Sequence, residues 1–204
     1  MGIDVYQAFS QVIRVLESEL KEAPQVANTR EFTNVFYMVT QPRLTDLSPH
    51  QPWADVEFEE RVDTYPHNPG KAWAQLPEVW EPMKEKDGRY SYTYSERMCF
   101  HLREVLAELR NNPLTREAFL AVWDPSLDVF FLSKRRVPCT IGYLFQIRDS
   151  KLHMTYLQRS CNFLKHFHDD CYLAVRLQQW VAEKLGVPMG SFTHWIGSLH
   201  TFIT

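Results

Sequence analysis

The sequence lacks the features that mark several broad classes of protein. No apolar run approaches the roughly 20 residues of a membrane helix, so no helical span is expected. The first stretch, MGIDVYQAFSQVIRVLESEL, is amphipathic and carries acids. A secretory leader would place bases there, followed by a continuous apolar segment, so no signal peptide is expected. Cysteine is scarce: Cys99, Cys139, Cys161 and Cys171 form no CxxC pair and are too few for a disulfide scaffold. The expected setting is a reducing cytoplasm, where a cysteine serves packing or chemistry. Charge of one sign is also missing. The net charge is −3, and no basic stripe offers itself to a nucleic-acid polymer. A nucleotide-sized anion needs only a few local donors and is not excluded. No internal repeat, low-complexity segment or linker interrupts the chain.

What is present fits a globular protein. Hydrophobic residues make up 45% and aromatic residues 14%, a composition that disordered chains do not have. A length of 204 residues suits one domain over 1–204 with a sizeable core. Apolar residues recur at helical spacing through Val5, Phe9, Val12, Ile13, Leu16 and Leu20, predicting a helix over 4–20 that Ala23-Pro24 ends. Residues 32–39 read as a strand. Residues 40–90 hold more than half of the twelve prolines and are expected to be long ordered loops around a short helix near 53–62. A helix is expected over 100–110, stopped by Asn111-Asn112-Pro113. Strands are expected at 118–123, 129–132, 139–147 and 151–158, the last two joined as a hairpin through Arg148-Asp149-Ser150. A helix over about 170–185 ends at Gly186, and a final strand covers 191–202. The fold class is α+β, with one large mixed sheet flanked by helices.

Several residues could carry chemistry. Cys139 follows Lys134-Arg135-Arg136 and opens a strand. Three nearby cations would lower its pKa toward the thiolate, and a packed structural thiol is the alternative. Arg159 and Ser160, side by side at a strand end, suit a phosphate through the arginine fork, or else form an exposed turn. His166, His168, Asp169 and Asp170 cluster before a helix. Their spacing matches no metal signature, and Asp169 or Asp170 as a helix N-cap is the simpler expectation. Glu57 and Glu60 share a helix face that solvent could equally cover. His200, with Ser198 nearby, offers a ligand-hydroxyl contact or a structural role.

These residues also stand in a particular order. Val137-Pro138-Cys139, then Gln158-Arg159-Ser160, then Asp169-Asp170, then Gly197-Ser198-Leu199-His200, together with NNPLTREAFLAVWD, resemble the thymidylate synthase superfamily. That superfamily includes deoxycytidylate and deoxyuridylate hydroxymethylases. The resemblance runs over about 111–202 and extends more weakly over NTREFTNVFYMVTQPR and DGRYSYTYSER. It implies an α+β enzyme in which a cysteine adds to carbon 6 of a pyrimidine nucleoside monophosphate. Carbon 5 then attacks the one-carbon unit of methylenetetrahydrofolate, with no metal. Hydride from the folate would give a methyl group; water would give hydroxymethyl.

By this resemblance Cys139 is the nucleophile. Arg159 and Ser160 bind the nucleotide phosphate, with Arg159 also catalytic in favouring the thiolate, and Arg116 reaches the phosphate of the partner in a homodimer with shared sites. His200 holds the sugar hydroxyl and Tyr94 lies beside the base. Glu57 organises water and proton transfer, with Glu60 as the fallback. Asn162 replaces the family's folate-contacting aspartate, and Gln25 stands where many members carry a phosphate-binding arginine, for which Arg30 could substitute. Glu117 replaces one of the paired interface arginines, and His194-Trp195 replaces a Trp-Thr pair. Asp170 occupies the base-reading position: a carboxylate accepts from the exocyclic amine of cytosine and repels the carbonyl oxygen of uracil. The chain ends four residues after His200, whereas bacterial synthases continue and close over the folate; an open site favours water as acceptor. The expected activity is therefore carbon-5 hydroxymethylation, with dCMP preferred to dUMP. The alternatives are thymidylate synthase acting on dUMP, and a nucleotide-binding relative without turnover.

Overall fold

The computed structural model describes residues 4–129 and 136–203. Short strand β1 (Asp4–Tyr6) precedes helix α1 (Phe9–Glu22). The expected helix therefore begins later than its apolar pattern. Val5 lies on β1, 60% exposed, and Gln11 Oε1 stops the helix from extending back by accepting from the Gln7 and Ala8 amides at 2.8 and 3.3 Å. Strand β2 (Gln25–Val26) turns back into β3 (Thr29–Val39).

The proline-rich region contains α2 (Trp53–Val62), which matches the expected short helix, and the one-turn helix α3 (Pro77–Trp80). Helix α4 (Tyr94–Asn111) starts six residues before the expected position. Thr93 and Glu96 form a reciprocal capping box there: Glu96 N donates to Thr93 Oγ1 at 3.1 Å, and Thr93 N to Glu96 Oε2 at 3.0 Å. Strand β4 (Phe119–Ala121) and the short helix α5 (Pro125–Asp128) follow. Most of the strand expected at 129–132 lies outside the described residues.

Strands β5 (Thr140–Arg148) and β6 (Lys151–Asn162) form the predicted hairpin. Arg148 pairs with Lys151, so Asp149 and Ser150 alone make the loop, both at positive φ. That two-residue turn twists with its strands. Helix α6 (Phe163–Leu185) begins seven residues earlier than expected, because Asn162 caps it by accepting from Lys165 N at 3.3 Å. Asp169 and Asp170 are thus interior helical residues and cap nothing. Gly186 ends the helix at φ +69°. Strand β7 (Met189–Phe202) completes the fold.

The strands form one sheet in the order β1-β3-β7-β6-β5-β4, with β2 paired to β3. β1–β3 and β6–β7 are parallel, and the other pairs are antiparallel. Helix α6 crosses over between β6 and β7, the connection a parallel pair requires. Side chains of one parity point under the helices: Tyr37 on β3, Phe192, His194 and Ile196 on β7, and Leu152, Met154 and Tyr156 on β6 are all buried. Phe9 of α1 meets Phe192 at 5.3 Å between ring centroids, and Phe167 of α6 meets Tyr37 at 6.5 Å. The core thus lies between the sheet and its helices. Among the described residues, no helix is long and apolar enough to cross a membrane.

Candidate active site

The site forms where β6 and β7 end and β5 begins. The antiparallel register brings Cys139, just before β5, beside Arg159 on β6: Arg159 N donates to Cys139 O at 2.7 Å. The Arg159 guanidinium then wraps the 137–139 segment. Its Nε donates to Pro138 O at 3.1 Å, and Nη2 reaches Val137 O at 3.4 Å and Cys139 Sγ at 3.9 Å. A cation is thus fixed beside the sulfur.

Burial outweighs that cation. It pushes the Cys139 thiol above its ordinary value; Asp170 pushes it further up, while Arg159 and Arg136 pull it down. Among the described residues the direction is thus opposite to the expected lowering, because burial and Asp170 outweigh Arg159 and Arg136. Lys134 and Arg135, the other two cations of that expectation, lie outside the described residues.

Asp170 reaches the same place from the second turn of α6. Its Oδ2 accepts from Gln158 Nε2 at 2.6 Å and lies 3.8 Å from Cys161 Sγ. Enclosure by protein raises its pKa to about 6, against the lowering effects of Gln158 and Arg61. Gln158 continues inward: its Oε1 lies 3.0 Å from His194 Nε2, and His194 Nδ1 lies 2.8 Å from Tyr37 Oη. The sequence singled out His194 only as a replacement. Phe192 and Ile196 alternate with it, and that period of two was the signal that turned it inward.

Tyr94, the first residue of α4, is joined to β5 through Thr140, whose Oγ1 donates to Tyr94 Oη at 3.2 Å. Glu57 on α2 accepts from buried Arg61 Nε at 2.8 Å, and the Arg61 guanidinium lies 3.9 Å above the Tyr94 ring. Glu57 and Tyr94 line one cavity with Trp53, Trp73, Trp80 and Arg136. Trp80 Nε1 is buried in its wall with no partner among the described residues. Glu60, the fallback, instead accepts the backbone amides of Lys71 and Ala72. Both amides fall on Glu60 Oε1, so Glu57 and Glu60 both line the cavity with one oxygen unbonded among the described residues; Glu57 differs in being paired with a buried cation, Arg61, where Glu60 is tied to the loop backbone.

Ser160, Asn162 and His200 gather at the ends of the parallel strands. Ser160 pairs in register with Ser198, and Asn162 with His200. Ser198 Oγ lies 3.4 Å from His200 Nδ1. Asn162 carries the α6 cap. Arg116 stands apart, exposed on the loop between α4 and β4, with no hydrogen bond or ion pair among the described residues. Gln25 and Arg30 bond local carbonyls, of Ala27 and Ala23, each at 3.0 Å.

The His-Asp cluster is a clasp. Asp169 accepts from His50 N at 2.7 Å and pairs with His50 Nδ1 at 2.8 Å, while Ser48 N donates to His168 Nδ1 at 3.1 Å. It ties the segment before α2 to α6 and so sets Glu57 relative to Asp170. Among the described residues, no group of three or more histidines, cysteines or carboxylates is arranged around a metal position.

Comparison with known proteins bears on the family and the fold. The model of the family described as "Thymidylate synthase" matches residues 13–203. A Methanosarcina mazei protein described as "Putative thymidylate synthase" is 33% identical over 180 residues, covering 85% of this chain and 74% of its own length. A Methanocaldococcus jannaschii protein of the same description is 24% identical over 203 residues, covering 98% and 88%. The crystal structure of T4 phage thymidylate synthase shares the fold with a TM-score of 0.75 at 15% identity, covering 95% of this chain and 77% of that one. The order of motifs, the shared sheet and the family match lead to one assignment: the chain belongs to the thymidylate synthase family of one-carbon transferases.

Proposed function

We propose that this protein hydroxymethylates carbon 5 of a pyrimidine nucleoside monophosphate, dCMP in preference to dUMP, as a homodimer with shared sites. One observation carries the choice of base. Asp170 Oδ2 accepts from Gln158, while Oδ1 has no hydrogen-bond partner among the described residues. A free carboxylate oxygen is an acceptor, which suits the exocyclic amine of cytosine.

In this reading Cys139 forms the bond to carbon 6, with Arg159 beside its sulfur. Arg159, Ser160 and the partner's copy of Arg116 hold the phosphate, and His200 holds the sugar hydroxyl. Tyr94 borders the base. Glu57, oriented by Arg61, holds a water and moves the carbon-5 proton.

The aromatic cavity beside Glu57 and Tyr94 is where this reading puts the pterin: Trp80 Nε1–H there lacks an acceptor, while Trp53 and Trp80 stack on each other at 5.5 Å and Lys84 Nζ covers the Trp73 ring, so these side chains must part to admit it. Methylenetetrahydrofolate held there supplies a one-carbon unit at the oxidation level of formaldehyde. Asn162 stands at the strand end for a further contact with it.

The names of the relatives favour the second reading, methylation of dUMP. Incubation with methylenetetrahydrofolate and carbon-5-tritiated dCMP or dUMP separates the two. The expected result is tritium release from dCMP with a gain of about 30 mass units, the addition of CH2O. Release from dUMP with a gain of about 14, accompanied by dihydrofolate, overturns it. Cys139→Ser is expected to abolish release by at least about 1,000-fold while leaving the melting temperature close to that of the parent.

A further inference from the structure

Tyr37, His194, Tyr156 and Tyr143 form one transverse row across four strands. Tyr37 pairs directly with His194, His194 with Tyr156, and Tyr156 with Tyr143. His194 stacks on Tyr156 at 4.4 Å between centroids and meets Tyr37 edge-on at 5.4 Å. The imidazole is fully buried, and so is Gln158. A histidine set this deeply among rings is not a packing residue alone, because both of its nitrogens have partners.

The directions of the hydrogen bonds follow from a single amide. Gln158 points Nε2 at Asp170 and Oε1 at His194. A carbonyl oxygen only accepts, so His194 Nε2 must carry the proton. Burial lowers the His194 pKa to about 3, which leaves the ring neutral with that one N–H. Nδ1 is then an acceptor, and Tyr37 O–H must donate to it at 2.8 Å. Cys171 Sγ, 3.7 Å from Tyr37 Oη, completes the line as the donor behind the phenol. The opposite amide orientation would put two amide N–H groups against a single imidazole acceptor in a dry core.

We infer that His194, held in one tautomer by Tyr37, directs the whole chain of hydrogen bonds toward Asp170, fixing it as an acceptor and selecting a pyrimidine that bears an amine at carbon 4. This inference rests on the nucleotide reading above and names the residue that enforces its choice of base. His194 and Tyr37 are positioning residues: they touch Gln158 or one another, and within this chain of hydrogen bonds it is Gln158 that touches Asp170.

The test has two arms on the full chain. Nitrogen-15 NMR of the labelled protein reads the imidazole directly. A neutral His194 protonated at Nε2 between pH 6 and 8 is expected; protonation at Nδ1 overturns the inference, whatever the protein binds. The second arm measures dCMP and dUMP dissociation constants for the parent and for His194→Phe, which keeps the ring and removes both nitrogens. The ratio favouring dCMP is expected to fall at least about tenfold, because Gln158 can then turn and let Asp170 keep a proton. Tyr37→Phe, which frees the tautomer without emptying the row, is expected to lower the ratio by a smaller factor. Equal weakening of both nucleotides in both variants would mark a structural role and overturn the inference. If the parent binds neither nucleotide, the nucleotide reading falls, while the tautomer still decides the direction of the chain.

Discussion

At the scale of single residues, Asp170 ties stability to specificity. Its pKa rises from the ordinary 3.8 to about 6, chiefly through burial. Between those values the native state holds a proton that the unfolded state has lost, so ionisation of Asp170 destabilises the fold as pH rises through this window. Asp170→Asn removes the titration and still accepts from Gln158. The variant is expected to be more stable than the parent above pH 6, by on the order of 2 kcal/mol, and to lose that advantage below pH 4. Thermal melts of both proteins at several pH values read this difference. Specificity should follow the same ionisation. Below pH 6 a protonated Asp170 becomes a donor, so the preference for dCMP over dUMP is expected to narrow in the parent, and Asp170→Asn should reverse it at every pH. A preference that does not change from pH 5 to 8 would show that Asp170 does not read the base. This residue was legible from the order of motifs. Its partner His194 was not, because the chain linking them joins residues 36 and 157 positions apart and depends on strand register that no local pattern reports.

At the scale of elements, the periodic segments were legible and their starting points were not. Helix α2 and the β5–β6 hairpin fell where the patterns put them. The starts of α4 and α6 lie in short polar signals, Thr93-x-x-Glu96 and Asn162, which precede the apolar periodicity and do not share it. Asn162 was read through its site role, which hid its capping role; Asp169 and Asp170 drew the boundary too late. The site elements also depend on a contact no periodicity contains. Gly70, at φ +72°, brings the loop so close to α2 that a Cβ there would collide with the Glu60 carboxylate, which binds the Lys71 and Ala72 amides. Gly186 has a similar φ of +69° but nothing within 4 Å. Gly186→Ala therefore measures backbone strain alone, expected at about 1 kcal/mol. Gly70→Ala adds the clash and should cost roughly 2–3 kcal/mol in urea unfolding. It should also weaken folate use, because α2 carries Glu57 as well as Glu60. Equal losses for the two glycines would show that the Glu60 clasp contributes little.

At the scale of the whole molecule, helices cover one face of the sheet among the described residues. Helices α1 and α6 bury the row through Tyr37, His194 and Tyr156. The opposite face carries Phe36, Trp195 and Leu157, which are in register across β3, β7 and β6 and remain partly exposed. Such an apolar row calls for a partner surface. Arg116 makes the same demand from the edge: it is exposed, its loop is anchored by Arg148 Nη2 donating to Thr115 O at 3.2 Å, and it serves no carboxylate among the described residues. The homodimer proposed above, if formed through the open face, would answer both, since an isologous interface repeats each contribution and lets each chain lend an arginine to the other's site. The consequence can be tested without a structure of the dimer. Cys139→Ser and Arg116→Ala homodimers should each be nearly inactive. Mixed and refolded together in equal amounts, half of the dimers carry one chain of each kind. In those, one site holds both defects and the other holds neither. Activity should therefore return to about a quarter of the parent value. Recovery of nothing, with each variant folded and dimeric, would place Arg116 and Cys139 in the same chain's site and remove the shared-site arrangement.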